Sequence, residues 1–286
     1  MQPAASILLP TLNPGPEIED VLGSIFQQRS SVPFEVLIVD SGSSPDDLRR
    51  MGHFPIRLQH IRSNEFGHGV TRNLLAQQAK GDALIFLTQD AKPACPGWLE
   101  ALTSAIDEPR VAGAYSRQVP RDEADPFVSF FLAQMYGLEP VRIRCAPANG
   151  LPPGSILFSN VGSAIRRDVW ERVPFRNVTM SEDQYWALDV LRAGYELAYQ
   201  PAARVIHSHN YSLATLFRRN WLSGSSLRGL MAGSARGATA QGTMYLARES
   251  AFLLRKHMSG CLPRMLVYEA VRVTAFWLGL RFGTAE

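Results

Sequence analysis

Ala83-Leu84-Ile85-Phe86-Leu87-Thr88-Gln89-Asp90-Ala91-Lys92-Pro93 is the stretch on which the reading of the chain turns. Residues 83 to 87 are apolar without alternation, the pattern of a strand covered on both faces of a parallel sheet. The run stops at Thr88-Gln89-Asp90, and Pro93 lacks the amide that a continuing ladder strand needs. Ligands of open α/β sheets gather beyond the carboxyl ends of the strands, so Asp90 stands where chemistry is usually done. A carboxylate there suits a hard divalent cation held against a diphosphate. Taken alone, it reads equally well as a solvated strand end.

Upstream the same grammar repeats. Ser6 to Leu9 reads as a first buried strand, closed by Pro10-Thr11-Leu12-Asn13-Pro14. Glu17 to Gln28 places Ile18, Val21, Leu22, Ile25 and Phe26 at helical spacing, with Pro16 near its start. Phe34 to Asp40 is a second strand ending in a carboxylate, followed by the turn formers Ser41-Gly42-Ser43-Ser44-Pro45. A short helix over Asp46 to Arg50 and a third strand over Ile56 to Ile61 complete the alternation. This rhythm predicts an α/β fold with a doubly wound, mainly parallel sheet. Asn64 to Asn73 then carries Gly67 and Gly69 around His68, which lets backbone approach a ligand closely, and opens a helix through Gln78. Arg72 near that helix start is a candidate bidentate phosphate clamp, or an ordinary surface arginine. No Gly-x-Gly-x-x-Gly follows the first strand and no Walker loop occurs, which excludes the usual dinucleotide and P-loop readings.

Downstream, Trp98 to Ile106 reads as helix and Val111 to Gln118 as strand. Asp125 to Leu138 is apolar around much of a helix, either core or an acceptor-side wall. Ala146 to Gly154 is a proline- and glycine-rich loop able to order over a substrate, and Ile156 to Arg166 an ordinary strand with a glycine bulge or a ligand-facing one. In Thr179-Met180-Ser181-Glu182-Asp183-Gln184, Ser181 is placed as a helix N-cap with both acids in the favourable first turn. Strand-like pieces at Tyr195 to Tyr199 and Arg204 to Ile206 lead into His207-Ser208-His209. His-x-His along a strand puts both imidazoles on one face, where a carboxylate completes a metal site; a core or pocket histidine is the alternative. Helices follow over Tyr211 to Met231, Met244 to His257 and Leu262 to Phe282, with a small, polar, mobile link from Gly233 to Gly242. The last helix is basic, aromatic and amphipathic, fit for a membrane interface, for packing on the body or for a homodimer contact.

Composition sets the outer limits. The chain has 286 residues, 46% hydrophobic and 19% charged, enough for one large or two small globular units. Division into residues 1–210 and a basic C-terminal helical region, 211–286, is expected. From Arg204 onward eleven Lys/Arg face three Glu, a net +8 that leaves −5 on the first 203 residues. A basic tail region of this kind faces something anionic. With no nucleic-acid motif in the sequence, a membrane surface or a lipid diphosphate is the better partner. The N-terminus lacks the look of a secretory signal, and scattered Cys95, Cys145 and Cys261 suit a reducing cytosol rather than a disulfide framework. No uncharged apolar run reaches the roughly 18 residues of a spanning helix.

Pro10-Thr11-x-Asn13, Val39-Asp40-Ser41-Gly42-Ser43 and Thr88-Gln89-Asp90 together resemble the family 2 glycosyltransferases, inverting enzymes of the GT-A fold. Within that family, Phe66-Gly67-His68-Gly69-x-Thr71-Arg72-Asn73 with Leu87-Thr88-Gln89-Asp90-Ala91 is similar to the bacterial rhamnosyltransferase branch, which uses dTDP-L-rhamnose. The resemblance covers about residues 6 to 222. It implies that Thr11 and Asn13 line the nucleotide pocket, that Asp40 accepts from the base, and that Gly67, His68, Arg72, Gln89 and Asn160 border the donor, with Ser163 nearby. It implies Asp90 as ligand of Mg²⁺ or Mn²⁺, with His207, then His209, joining it. Thr88 replaces the first acid of the usual Asp-x-Asp motif, which makes such a further ligand more necessary. Asp183, the second of the Glu182-Asp183 pair, takes the place of the general base. The implied partners are a dTDP-sugar donor and a saccharide acceptor, carried on a polyprenyl diphosphate at the cytoplasmic membrane face. A UDP-hexose donor, a sugar-phosphate nucleotidyltransferase and a non-catalytic carbohydrate-binding protein are the rival readings.

Overall fold

The computed structural model describes residues 3–144, 158–231 and 238–283. The first half runs β1 (Ala5–Thr11), α1 (Glu17–Phe26), β2 (Phe34–Asp40), α2 (Pro45–Gly52), β3 (Arg57–His60), α3 (His68–Gln78) and β4 (Ala83–Leu87). It continues with β5 (Lys92–Pro93), α4 (Trp98–Ala105), β6 (Val111–Val119), α5 (Pro126–Met135), β7 (Val141–Ile143) and β8 (Gly162–Arg166). α6 (Arg167–Arg172), α7 (Glu182–Arg192), β9 (Glu196–Ile206), α8 (Leu213–Leu227), α9 (Ala238–Arg255) and α10 (Leu262–Phe282) complete the order.

One sheet joins the strands in the order β3-β2-β1-β4-β8-β6-β9-β5, with β7 paired to β9. β1, β2, β3 and β4 are mutually parallel neighbours, β8 runs antiparallel between β4 and β6, and β6 pairs parallel with β9. The apolar runs are explained by two covered faces, because successive side chains of a strand point opposite ways. Leu8, Leu37, Val39, Leu84 and Phe86 face a core shared with Leu75 of α3 and Trp186 and Leu188 of α7. Ile7, Leu9, Ile38, Ile85 and Leu87 face Ile18, Leu22 and Ile25 of α1 and Trp98, Leu99 and Leu102 of α4. Each such large side chain taken from water contributes about 1.5–3 kcal/mol before entropy is counted. The burial closes β4 from both sides and leaves its carboxyl end as the open rim.

Three expectations change. Pro93 does sit in a strand, but in a two-residue edge piece paired antiparallel to β9, where a missing amide is tolerated. The two strand pieces around residue 200 are one strand, β9, whose register against β6 shifts between Ser116 and Arg117. That irregularity lets a proline at 201 pass without ending the strand. Residues 238–242, read as part of a mobile link, begin α9. Residues 146–154, the loop expected to order over substrate, and 233–237 of the link lie outside the described residues, as do Ile156 and Leu157; what remains of that stretch is strand only from Gly162.

The C-terminal helices share the main core: Leu230, Met231, Leu253 and Met265 belong to the same apolar cluster as Phe86, Tyr115 and Leu197. α8 and α10 cross at backbone contact, since a Cβ at Gly279 would meet the Trp221 carbonyl oxygen at 2.2 Å. Among the described residues no helix is long and apolar enough to cross a membrane.

Candidate active site

The site grows from the carboxyl ends of β1, β2 and β4. Asp40 closes β2 with its side chain 1% exposed, and four internal donors take its oxygens. Thr11 Oγ1 at 3.0 Å and Ser43 Oγ donate to Oδ1, while the amides of Gly42 and Ser43 donate to Oδ2, both at 3.0 Å. Burial opposes its ionisation, but these donors outweigh it and hold the carboxyl below its ordinary range. The structure thus gives Asp40 the shaping of the 41–44 turn; a base would meet a carboxylate already well supplied with donors. Asn13, in the left-handed region at φ 43°, donates its amide to Ser43 Oγ at 2.7 Å and accepts from the Ser44 amide at 3.0 Å. Gln89 reaches across from the end of β4, accepting from the Leu12 amide at 2.7 Å and donating to the Leu12 carbonyl at 3.1 Å. Thr11, Asn13, Asp40 and Gln89 therefore form one hydrogen-bonded rim.

Asp90, three residues past β4, meets both histidines. His209 Nε2 lies 3.1 Å from Asp90 Oδ2, His207 Nε2 lies 3.6 Å from Asp90 Oδ1, and the two Nε2 atoms are 3.2 Å apart. The histidines follow β9 rather than lying on it, and their rings stand at 89° to each other, so the irregular segment after the strand and not strand alternation brings them together. Asp90 is partly buried, which opposes ionisation, yet the adjoining imidazoles hold its carboxyl well below the usual carboxylate range. His207 Nδ1 donates to Gln118 Oε1 at 2.9 Å, which turns Nε2 and its lone pair toward Asp90. Gln118 is fixed in turn by donating to Tyr136 Oη and to Ser159 Oγ. One carboxylate oxygen and two imidazole nitrogens, all within 4.8 Å of one another, fit a divalent cation.

Glu182 and Asp183 open α7, but Ser181 does not cap it with its side chain. Ser181 sits in the left-handed region at φ 65°, a strained position for a non-glycine residue, and its hydroxyl makes no cap bond. Asn160, 1% exposed, ties the acids together. Its backbone amide donates to Asp183 Oδ2 and its side-chain amide to Glu182 Oε1, both at 3.1 Å, while Ser163 Oγ donates to its Oδ1 at 2.9 Å. Asn160, expected to border the donor, bonds both acids, and Ser163, expected nearby, bonds Asn160. Arg72, 4% exposed, places NH1 3.1 Å from Glu182 Oε1. This arginine, expected to clamp a phosphate, is held by a carboxylate because α3 packs beside α7. Burial opposes ionisation of Glu182, but the charges of Arg72 and His68 and the Asn160 amide keep its carboxyl below the usual range. Burial, and then the Glu182 charge, push Asp183 up to about 7. His68 is pushed down by burial and by Arg72.

Gly69 is a close-approach glycine, but to protein: a Cβ there would meet the Arg176 carbonyl oxygen at 2.1 Å. Gly67, the residue before α3, has ordinary space around it. Sequence reasoning did not find Gln118 or Ser159. Ser159 bonds the partner of His207 and its chain neighbour Asn160 bonds the acid pair, so two adjacent residues connect both halves of the site. Only the pairing of β6 with β9, which sets Gln118 beside Val205, brings that glutamine to the histidines.

Residues 6–169, more than half of the chain, match Glycosyl transferase family 2. The chain belongs to this family. The O-antigen chain rhamnosyltransferase RfbN of Salmonella typhimurium is 30% identical, with 96% of this chain and 88% of that protein covered. The O-antigen chain rhamnosyltransferase WbaN of Salmonella anatum is 29% identical, with 97% and 89% covered. Among solved structures, the mannosyltransferase PcManGT of Pyrobaculum calidifontis, in complex with GDP-Man and Mn²⁺, superposes with a TM-score of 0.60 at 19% identity, covering 97% of this chain and 88% of that one. S. aureus TarS gives a TM-score of 0.54 at 16% identity, with 98% and 90% covered. The fold is of the GT-A kind, and it is the family match with the two rhamnosyltransferase relatives that favours a glycosyltransferase over the nucleotidyltransferase and non-catalytic readings.

Proposed function

We propose that this glycosyltransferase moves L-rhamnose from dTDP-β-L-rhamnose to a saccharide acceptor, with inversion, in the assembly of a bacterial surface polysaccharide. The observation that carries the donor is the near full-length similarity to two proteins named O-antigen chain rhamnosyltransferases. The geometry supports the reaction. Asp183, held by the amides of Asn160 and Gln184, is the base that takes the proton from an acceptor hydroxyl as that oxygen bonds to the anomeric carbon. The bond from that carbon to the diphosphate breaks, its electron pair leaving with the phosphate oxygen, and Asp183 ends protonated. Glu182 fixes Arg72 and sets the charge beside Asp183. Asp90, His207 and His209 would hold Mg²⁺ or Mn²⁺, which supplies positive charge to the leaving diphosphate. The rim of Thr11, Asn13, Asp40 and Gln89 shapes the nucleotide pocket. The acceptor sits on a polyprenyl diphosphate at the cytoplasmic membrane face, toward which the basic region 211–286 turns, and the same helices offer a homodimer contact.

The test is calorimetry with dTDP-rhamnose, dTDP, UDP-glucose and UDP, with and without Mn²⁺, on wild type and Asp90→Ala. Metal-dependent binding of the dTDP compounds, lost in the variant, supports the reading. Preference for UDP compounds moves the donor to a UDP-hexose, and no response to any nucleoside diphosphate overturns the assignment.

A further inference from the structure

Arg219, on α8, comes to the metal-type triad from the C-terminal side. It shares a cavity of about 250 Å³ with Gln118, His207, His209 and Tyr211. A chain of contacts leads to it: Asp90 meets His209 at 3.1 Å, the His209 ring stacks on Tyr211 at 5.0 Å and 18°, and the Arg219 guanidinium lies over the Tyr211 ring at 5.1 Å. Its charge also reaches His68 on the other side of the site, adding to that of Arg72 in disfavouring the imidazolium. Arg219 therefore borders the cavity of the two histidines, and its charge is felt at His68.

Two arginines of the site are already engaged. Arg72 pairs with Glu182 at 3.1 Å, and Arg121, which also donates to the Asp90 carbonyl, pairs with Glu17 at 2.7 Å. Among the described residues Arg219 pairs with no carboxylate, and it is exposed. Tyr211 holds its guanidinium plane by cation–π contact, and among the described residues its N–H donors have no hydrogen-bond acceptor, the arrangement that suits bidentate capture of a phosphate.

We propose that Arg219 binds the terminal phosphate of the donor's nucleoside diphosphate and is the arginine that balances the charge of that leaving group. This rests on the nucleotide-sugar donor proposed above. The sequence offered Arg72 for the task; the fold commits Arg72 to Glu182 and brings Arg219 from a helix more than 140 residues downstream.

The test titrates dTDP and dTMP, and UDP and UMP, into wild type, Arg219→Ala and Arg219→Lys in the presence of Mn²⁺. Wild type is expected to prefer the diphosphate. Arg219→Ala should shrink that preference about tenfold, the worth of one charge-assisted hydrogen-bonded contact, with monophosphate and Mn²⁺ affinity unchanged. Arg219→Lys should recover part of it. An unchanged diphosphate preference in Arg219→Ala overturns the proposal while leaving the donor reading intact. Equal losses for mono- and diphosphate also overturn it, since the side chain would then shape the pocket. If wild type itself shows no preference for any diphosphate, the donor reading fails and the role of Arg219 falls with it.

Discussion

The Nε2 atoms of His207 and His209 lie 3.2 Å apart, each facing Asp90. Two neutral imidazole nitrogens with their lone pairs aimed at each other repel unless a proton or a cation lies between them. Gln118 fixes the choice for His207 by accepting a hydrogen bond from its Nδ1–H at 2.9 Å. Two nitrogen donors and one carboxylate suit Mn²⁺ better than Mg²⁺, which prefers oxygen and keeps its water. Titration of Mn²⁺ followed by electron paramagnetic resonance should show tight binding that Asp90→Ala and His207→Ala abolish. Gln118→Leu, which leaves all three donors in place, should weaken it about 10–100-fold. Unaltered affinity in Gln118→Leu would mean that the amide does not orient the ring.

Asp183 makes a prediction about pH. Its carboxyl is pushed up to about 7, so the base form grows in as pH rises and is complete above that value. Turnover should climb about tenfold per pH unit below about 7 and level off above it. Asp183→Asn should lower kcat by about 10²–10⁴ with nucleoside diphosphate binding unchanged. A flat wild-type profile between pH 5 and 8, with chemistry rate-limiting, would contradict the role.

Arg72 and Glu182 form a buried pair, 5% and 6% exposed at their side chains. Removing one partner of such a pair leaves the other charge stranded, at about 3–5 kcal/mol. Arg72→Met should therefore lower Tm sharply, and Arg72→Met with Glu182→Gln should recover much of the loss. Equal stabilities for the single and double variants would show that Glu182 finds another cation. The same variants report on function: if Arg72 served phosphate as well as Glu182, the double variant would regain stability but lose nucleoside diphosphate affinity.

What could be read in advance was whatever a local pattern encodes. β2 and β4 fall where their apolar runs lie, because burial on two faces leaves a direct trace in residue order. α10 spans its expected residues but buries Glu269 and exposes Leu266 and Val267, so it carries no clean amphipathic stripe. Asp90 and the histidines were visible because each follows such an element, and the acid pair because it opens one. The partners of these groups were not. Gln118 reaches His207 through the β6–β9 register, Asn160 reaches the acids across 22 and 23 residues, and Gly69 meets a carbonyl more than 100 residues away. Arg72 at a helix start was legible as an anion site, whereas its pairing with Glu182 depends on the packing of α3 beside α7 and leaves no local trace.

Glu249, on α9, carries the last prediction. It is 0% exposed, and among the described residues neither of its carboxylate oxygens has a hydrogen-bond partner. Burial, and then the Glu269 carboxylate, push its carboxyl up to about 8, while Arg272, paired with Glu269 at 2.9 Å, offsets only part of this. Tyr245 and Tyr268 border the same Glu269–Arg272 pair and are themselves pushed up by burial, so they add no charge at neutral pH. Between the ordinary value of 4.5 and about 8, the folded protein keeps a proton that the unfolded chain has released. Stability contributed by this group is therefore lost as pH rises through that window and stops changing above it. Thermal denaturation of wild type should show Tm falling from pH 5 to pH 8. Glu249→Gln should flatten the fall, leaving the variant on the order of 1–3 kcal/mol more stable than wild type at pH 8 and nearly matched at pH 5. Parallel pH profiles for the two proteins would mean that Glu249 ionises freely, through local opening of α9 against α10, and that its carboxyl is not held protonated by the fold.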